Sequence, residues 1–125
     1  FLEAGRMPSG LDPAASLRLG LFKDGHLIAV GETAFGYPEP RDAYLGLMIV
    51  SPRARGTGAG SYLLRHIEAE AQARQKKNLY LAVLDANPRG QSFWQREGFA
   101  VAATDRPVTL GTKTQTAKRM VKALS

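Results

Sequence analysis

A glycine-rich turn between an apolar segment and an amphipathic segment most constrains what this chain can fold into. Within LGLMIVSPRARGTGAGSYLL, residues 45–64, every second position from Gly56 to Gly60 is glycine. Glycine adopts positive φ without steric cost and lets an anion approach the backbone amides closely. The same amides precede the first turn of a predicted helix, where unpaired N–H groups and the helix dipole favour negative charge. The turn therefore predicts a phosphate cradle, to which Arg53 and Arg55 add positive charge.

Two common nucleotide-binding motifs do not account for this turn. A P-loop requires Lys and then Ser or Thr after its last glycine, whereas Ser61 and Tyr62 follow Gly60. A dinucleotide-binding fingerprint requires glycine at its sixth position, which here is Ser61. Taken alone, the turn is also compatible with a tight connection between strand and helix that binds nothing.

Length and composition limit the classes of protein to consider. A chain of 125 residues, 44% of them hydrophobic, predicts a single globular domain over residues 1–125. The formal net charge of +6 favours an anionic partner, which leaves a phosphorylated cofactor, nucleic acid or a membrane surface open. With no cysteine and two histidines, we expect neither disulfides nor a metal site. No apolar run is long enough to cross a membrane, residues 1–16 lack the pattern of a secretion signal, and a cytoplasmic location is the default expectation.

The pattern of apolar residues predicts a mixture of strands and helices. Asp24-Gly25 is a hairpin-turn signal, and the nearly continuous apolar segment at Ala43–Val50 is typical of a strand buried on both faces. A strand, a helix and a second strand over residues 43–84 predict a right-handed crossover with parallel strands. The predicted strands are Ser16–Lys23, His26–Phe35, Ala43–Val50, Leu79–Leu84, Phe99–Leu110 and Thr112–Leu124, and the predicted helices are Thr57–Lys76 and Asn87–Glu97.

Two separated motifs resemble those of the GNAT superfamily of acyl-coenzyme A dependent N-acyltransferases. The cofactor signature of that family, Arg or Gln, two residues, Gly, one residue, and Gly or Ala, is matched by Arg55, Gly58 and Gly60. Its second signature, Asn, later an aromatic pair, then Gly-Phe, is matched in the segment NPRGQSFWQREGF, residues 87–99. The resemblance covers residues 16–124.

The resemblance implies an α/β (α+β) fold with a mixed, mostly antiparallel sheet, one splayed pair of parallel strands and flanking helices. It implies transfer of an acetyl group from acetyl-coenzyme A to a primary amine by direct attack, without a metal. The pantetheine arm would lie along the first inner strand and the pyrophosphate on the glycine-rich turn. The residues implied to bind the cofactor are Met48, Ile49, Val50, Arg55, Gly56, Thr57, Gly58, Ala59, Gly60, Ser61, Asn87, Phe93 and Trp94.

Departures from the family pattern concern the acid and the base. Trp94 stands where many members have a tyrosine as general acid, and an indole N–H does not ionise near neutral pH. Ala82 stands where some members have a catalytic glutamate. Tyr44 occupies a position at which others have a general base, and Glu32 is a second candidate that faces either the cleft or water. Asp42 and Asp85 complete the candidates.

Two alternatives follow from these departures and from the charge. The domain could bind acyl-coenzyme A without catalysis, or it could bind nucleic acid, although no aromatic residues interleave its basic ones as in nucleic-acid readers.

Members of the family begin with a further strand and two helices, whereas only 15 residues precede the first predicted strand here. We therefore expect residues 1–15 to be irregular or a remnant. An open acceptor side, or completion of that side by another segment or by a second subunit, as in a homodimer, follows from this expectation.

Overall fold

Seven strands form one sheet in the order β1-β2-β3-β4-β5-β7-β6 in the computed structural model, which describes residues 2–7 and 15–124. Every neighbouring pair is antiparallel except β4 and β5, which are parallel. The predicted mixed sheet with one parallel pair is confirmed. The strands are β1 Leu2–Arg6, β2 Ser16–Lys23, β3 His26–Phe35, β4 Asp42–Val50, β5 Asn78–Leu84, β6 Ala100–Leu110 and β7 Lys113–Ala123, and the helices are α1 Ala59–Ala73 and α2 Pro88–Arg96.

Helix α1 packs against β2, β3 and β4 and supplies much of the core. Its apolar positions recur at helical spacing, and Leu63, Leu64, Ile67 and Ala71 are fully buried. Gly31 of β3 faces this helix, since a Cβ placed there would lie 2.7 Å from Cδ1 of Ile67. A side chain at that position would therefore push the helix away from the sheet.

Both helices lie on the same face of the sheet. Ser61 of α1 donates a hydrogen bond to Glu97 at the end of α2, at 2.8 Å. Because side chains alternate along a strand and Gly31 faces α1, Glu32 projects to the opposite face. Ala34, two residues after Glu32, is opposite Tyr44, which therefore projects to the same face. The strand pairing continues this face through β5 to Arg119 of β7. We call it the open face, because no helix of the described residues packs on it.

Only the first half of β4 is buried as the sequence predicted. Leu47 is 42% and Ile49 is 53% exposed. The register passes from Glu32↔Leu47 to Thr33↔Leu45, so Gly46 is an extra residue that bulges out of the ladder. Leu47 and Ile49 are exposed, contrary to the predicted burial on both faces, because β4 separates from its parallel neighbour β5 at this bulge.

A strand precedes β2, so of the two alternatives expected for residues 1–15, an irregular segment is wrong for residues 2–6. Residues 2–6 pair antiparallel with β2, with Gly5 opposite Gly20. The outer edge of β2 presents unpaired backbone groups, and their pairing orders a segment whose own sequence shows no clear alternation. Residues 8–14, on which the rest of that prediction falls, lie outside the described residues. Within the described part of the chain, neither helix has the length and apolarity needed to span a membrane.

Candidate active site

A fork between β4 and β5 defines the site. The two strands pair over four residues only, from Asp42↔Asn78 to Leu45↔Leu81. Beyond Leu81, β5 continues beside β7 alone, while residues 47–50 of β4 remain paired with β3. After Leu45, the backbone N–H and C=O groups of β4 that point toward β5 therefore make no hydrogen bonds within the sheet. The other end of the paired segment is held by Asn78, which donates to the buried carboxylate of Asp42 at 3.0 Å.

The glycine-rich turn follows β4 and has the backbone that a cradle requires. Gly56 and Gly58 have φ of 76° and 88°, in the left-handed region, and a Cβ at either position would meet nothing within 4 Å. Glycine is therefore required for conformation and not for lack of space. Gly60 differs, since a Cβ there would lie 3.3 Å from Cζ of Phe93, so its absence allows α2 to approach α1.

The first turn of α1 has no side-chain cap. Gly58 is the N-cap residue and has no side chain to accept the amides of the first turn, and no acidic residue lies in that turn. The amides of Arg55 and Thr57 are used within the turn, by the carbonyls of Pro52 and Ala54. The donors aimed outward are thus those of the glycines and of the first helical residues, which leaves an anion site at the positive end of the helix dipole.

The fork and the turn open into one cavity of about 760 Å³, a volume within the range of small-molecule sites. Thr57 and Ala59 do not line it: the Thr57 hydroxyl donates to the carbonyl of Ala54, and Ala59 is buried in the core. The residues predicted to bind a cofactor that do line it are Met48, Ile49, Val50, Arg55, Gly56, Gly58, Gly60, Ser61, Asn87, Phe93 and Trp94.

Two arginines of the cavity were missed by the sequence interpretation. Arg89 and Arg96 line it from α2, together with Arg55. The signal was present, because Arg89, Phe93 and Arg96 are spaced i, i+4 and i+7 and so share one helix face. Arg55 is partly committed, since its Nε donates to the carbonyl of Val50 at 3.2 Å. Three guanidinium groups around a nest of amides fit a cofactor that carries several phosphates.

One carboxylate, also missed, lines the cavity. Glu97 accepts a hydrogen bond from Ser61 and forms an ion pair with Arg65. Its negative charge is thereby compensated, and it joins the C-terminal end of α2 to the first turns of α1. The contact fixes the distance between the two helices across the mouth of the cavity.

Asn87 has a structural role besides the predicted one. Its Oδ1 accepts the backbone N–H of Gly90 at 2.9 Å, which caps α2. The amide oxygen thus accepts a hydrogen bond within the cap, while the Nδ2 group is the donor available toward the cavity.

Trp94 also serves two purposes. Its ring makes edge contacts with Phe93 and Phe99, with centroids at 4.8 Å and 5.4 Å, and it is partly buried against the core. The same side chain lines the cavity. The contact with Phe99 fixes the orientation of the Trp94 ring, and the same ring forms part of the cavity wall.

The two candidate catalytic residues do not line the cavity but lie on the open face. Glu32 is held by Arg18, whose Nε donates to Oε2 at 2.7 Å, and its side chain is 22% exposed. The ring of Tyr44 meets that of Tyr37 edge-on, with centroids 5.2 Å apart. The structure thus brings Tyr44 to the closed end of the fork and places Glu32 in a cross-strand ion pair.

Asp85 follows β5 and is unsuited to accept a proton. Hydrogen bonds from Lys118 and then Thr116 hold the pKa of this carboxyl below its usual value. A carboxylate of lowered pKa is a weaker base.

Comparison with known proteins decides the family. The model of the acetyltransferase (GNAT) family matches residues 5–99. The chain belongs to the GNAT family. An amino-acid acetyltransferase of Ralstonia nicotianae is 32% identical over 71 residues, which is 55% of this chain and 15% of that protein. The chain thus matches only a small part of that relative's length.

Solved GNAT structures share the fold. The chain superposes on an IAA acetyltransferase from Bacillus cereus with a TM-score of 0.80 and 16% identity, covering 98% of this chain and 99% of that one. A PaiA N-acetyltransferase from Thermoplasma acidophilum, solved in complex with coenzyme A, is 27% identical, with a TM-score of 0.71 over 87% of this chain and 61% of that one. The GNAT fold predicted from the two motifs is confirmed.

Proposed function

We propose that this domain transfers the acetyl group of acetyl-coenzyme A to a primary amine. The observation that carries the proposal is that the uncapped glycine turn and the unpaired edge of β4 open into one cavity. A diphosphate on the turn and an extended amide-containing arm along β4 are the two ligand features that such a cavity matches. Coenzyme A contains both.

In this proposal the cradle holds the cofactor by its phosphates. Amides after Gly58 bind the diphosphate, and Arg89 and Arg96 contribute charge from α2. The backbone of residues 46–50 pairs with the arm, as a further strand would. Asn87 donates through Nδ2, and the ring of Phe93 covers the arm beside Gly60. These contacts leave the acyl end of the arm at the closed end of the fork.

The chemistry then requires little of the protein beyond orientation. The amine nitrogen forms a bond to the carbonyl carbon, the C–S bond breaks, the thiol departs and the amine loses a proton. Backbone N–H groups of β4 at the fork polarise the carbonyl, and placing the amine against it supplies most of the acceleration. Trp94 cannot protonate the departing sulfur, so water reaching the open face takes and delivers the protons. Of Glu32 and Tyr44, Tyr44 is the better placed to exchange protons with this water, because it lies at the closed end of the fork.

A second candidate function is an acyl-coenzyme A binding module without catalysis. It is favoured by Trp94 and Ala82 and by the ion pair that holds Glu32. Incubation with acetyl-coenzyme A and a panel of amines, with release of the free thiol followed by a colorimetric reagent, separates the two. Thiol release that depends on the amine supports the transferase. Tight binding of coenzyme A with no release for any amine supports the module, and failure to bind coenzyme A overturns both.

A further inference from the structure

The open face carries an arginine that lies over the rings of two tyrosines. The Arg119 guanidinium lies 5.7 Å from the ring centroid of Tyr44 and 5.9 Å from that of Tyr37. Its Nη2 donates to the Tyr37 hydroxyl at 3.3 Å. We call Tyr37, Tyr44 and Arg119 the arginine–tyrosine cluster. None of the three lines the cavity described above.

The cluster lies at the point where β4 and β5 separate. Leu45 and Leu81 are the last paired residues of the two strands, and Tyr44 immediately precedes Leu45. Arg119 of β7 is opposite Ala82, the first residue of β5 beyond that pair. Since β5 lies between β7 and β4 in the sheet, the Arg119 side chain crosses over β5, where Ala82 offers only a methyl group. The cluster is therefore at the closed end of the fork, on the face away from the helices.

The charge of Arg119 is not neutralised within the described part of the chain. Its partners there are the Tyr37 hydroxyl and the two rings, and none is a carboxylate. Glu32, on the same face, is paired with Arg18. A guanidinium has five N–H donors in a planar fork, and the matching ligand is a carboxylate bound through two of them. Cation–π contacts with the two rings position the guanidinium without cancelling its charge.

We propose that Arg119 selects acceptor amines that carry a carboxylate, with Tyr37 and Tyr44 enclosing the acceptor. The inference rests on the proposed function, since it places the acceptor on the open face and the acyl group in the fork. The carboxylate binds Arg119 while the amine of the same molecule points into the fork beside Tyr44. A polyamine meets a positive charge at this entrance and is disfavoured.

The test compares acceptors that differ only in the carboxylate. Free α-amino acids and the corresponding amino-acid amides are assayed by thiol release with acetyl-coenzyme A, together with a linear diamine. The amides have the less basic amines and are intrinsically favoured at neutral pH, so a preference for the acids has to come from the protein. We expect kcat/KM to be higher for the acids. In Arg119→Gln, we expect KM for the acids to rise by about tenfold or more, while values for the amides stay unchanged.

Matched variants separate recognition from folding. Arg119→Lys keeps the charge without the planar fork and should recover part of the affinity. Arg6→Gln removes one positive charge from an exposed position on β1, at the far edge of the sheet, and should change nothing. Coenzyme A affinity should be the same in all four proteins, because neither arginine lines the cavity.

A binding measurement keeps this inference distinct from the proposed function. The amino acids are titrated by calorimetry into protein saturated with coenzyme A. Binding that Arg119→Gln abolishes, with no thiol release from any amine, supports the selection by Arg119 and overturns the transferase. Release that is equal for acids, amides and the diamine, and unchanged in Arg119→Gln, overturns the selection and leaves the transferase standing. No binding and no reaction of the acids also overturns the selection.

Discussion

Leu45 and Leu81 are the last residues at which β4 and β5 pair, and one residue further along β4 the bulge at Gly46 begins. The opening of the sheet and the start of the exposed half of β4 are therefore one structural event. Everything that we assign to a cofactor lies on one side of this point, along residues 46–61 and on α2. The arginine–tyrosine cluster lies on the other side of the sheet at the same point.

The left-handed backbone at Gly58 gives the first prediction. Gly58→Val forces a β-branched residue to φ near 88°, which costs about 1–3 kcal/mol or makes the turn change conformation. We expect coenzyme A affinity, measured by titration calorimetry, to fall by at least about tenfold, equivalent to ~1.4 kcal/mol. Gly25→Val is the matched control: Gly25 also has positive φ and open space around it, but it lies in the β2–β3 turn. Equal affinity in a folded Gly58→Val protein would refute the cradle.

Asn87 allows the helix cap to be separated from cofactor binding. Asn87→Ala removes both the cap and the donor, so we expect a loss of about 1 kcal/mol in stability and weaker coenzyme A binding. Asn87→Asp keeps an oxygen that accepts the Gly90 amide but removes the Nδ2 donor. The expected result is wild-type thermal stability with reduced affinity. If Asn87→Asp binds coenzyme A as tightly as the wild type, the residue is a cap and nothing more.

Glu32 is expected to contribute structure and not proton transfer. Glu32→Gln should leave kcat for thiol release nearly unchanged, whereas removal of a general base costs about 10²-fold or more. Its effect on unfolding free energy should not exceed about 1 kcal/mol, because Arg18 is 37% exposed and the pair is partly screened by water. The check is a pH–rate profile of both proteins. A loss of kcat of about 10²-fold or more, with loss of the increase in rate as the pH rises, would instead identify Glu32 as the base.

The hydrogen bonds of Asp85 lead us to expect that the free energy of unfolding decreases at acidic pH. Lys118 and Thr116 hold the pKa of this carboxyl below its usual 3.8 in the folded protein. A folded-state pKa that is depressed gives stability that is present above pH 4 and is lost as the pH falls through the folded value. Thermal unfolding should show Asp85→Asn to be the less stable protein at pH 6, with the difference shrinking toward pH 2. Asp105→Asn, at an exposed position without an ion pair in the described residues, should show no such trend.

Local sequence was sufficient for most of the elements and for the position of the glycine turn before helix α1. The hairpin turn at Asp24-Gly25, the buried stripe of α1 and the glycine turn each depend on residues a few positions apart, so their physics can be read from the chain. The two departures have different causes, one local and one from strand pairing. Helix α1 begins at Ala59 and not at Thr57, because Gly58 adopts a left-handed N-cap. The strand at residues 2–6 has little pattern of its own and forms because β2 offers it an edge.

The sequence by itself determined that a glycine turn would precede a helix N-terminus, and the family resemblance placed the second motif just beyond the neighbouring inner strand. Only the tertiary structure decided where β4 leaves β5, because strand pairing joins residues far apart in sequence, such as Leu45 and Leu81, through backbone hydrogen bonds that no side-chain pattern encodes. It also decided that Glu32 meets Arg18 and that Arg119 meets Tyr37, 82 positions away. Charges and rings so distant in sequence acquire a partner only when the sheet fixes their register, since each strand's alternation specifies a face but not a neighbour.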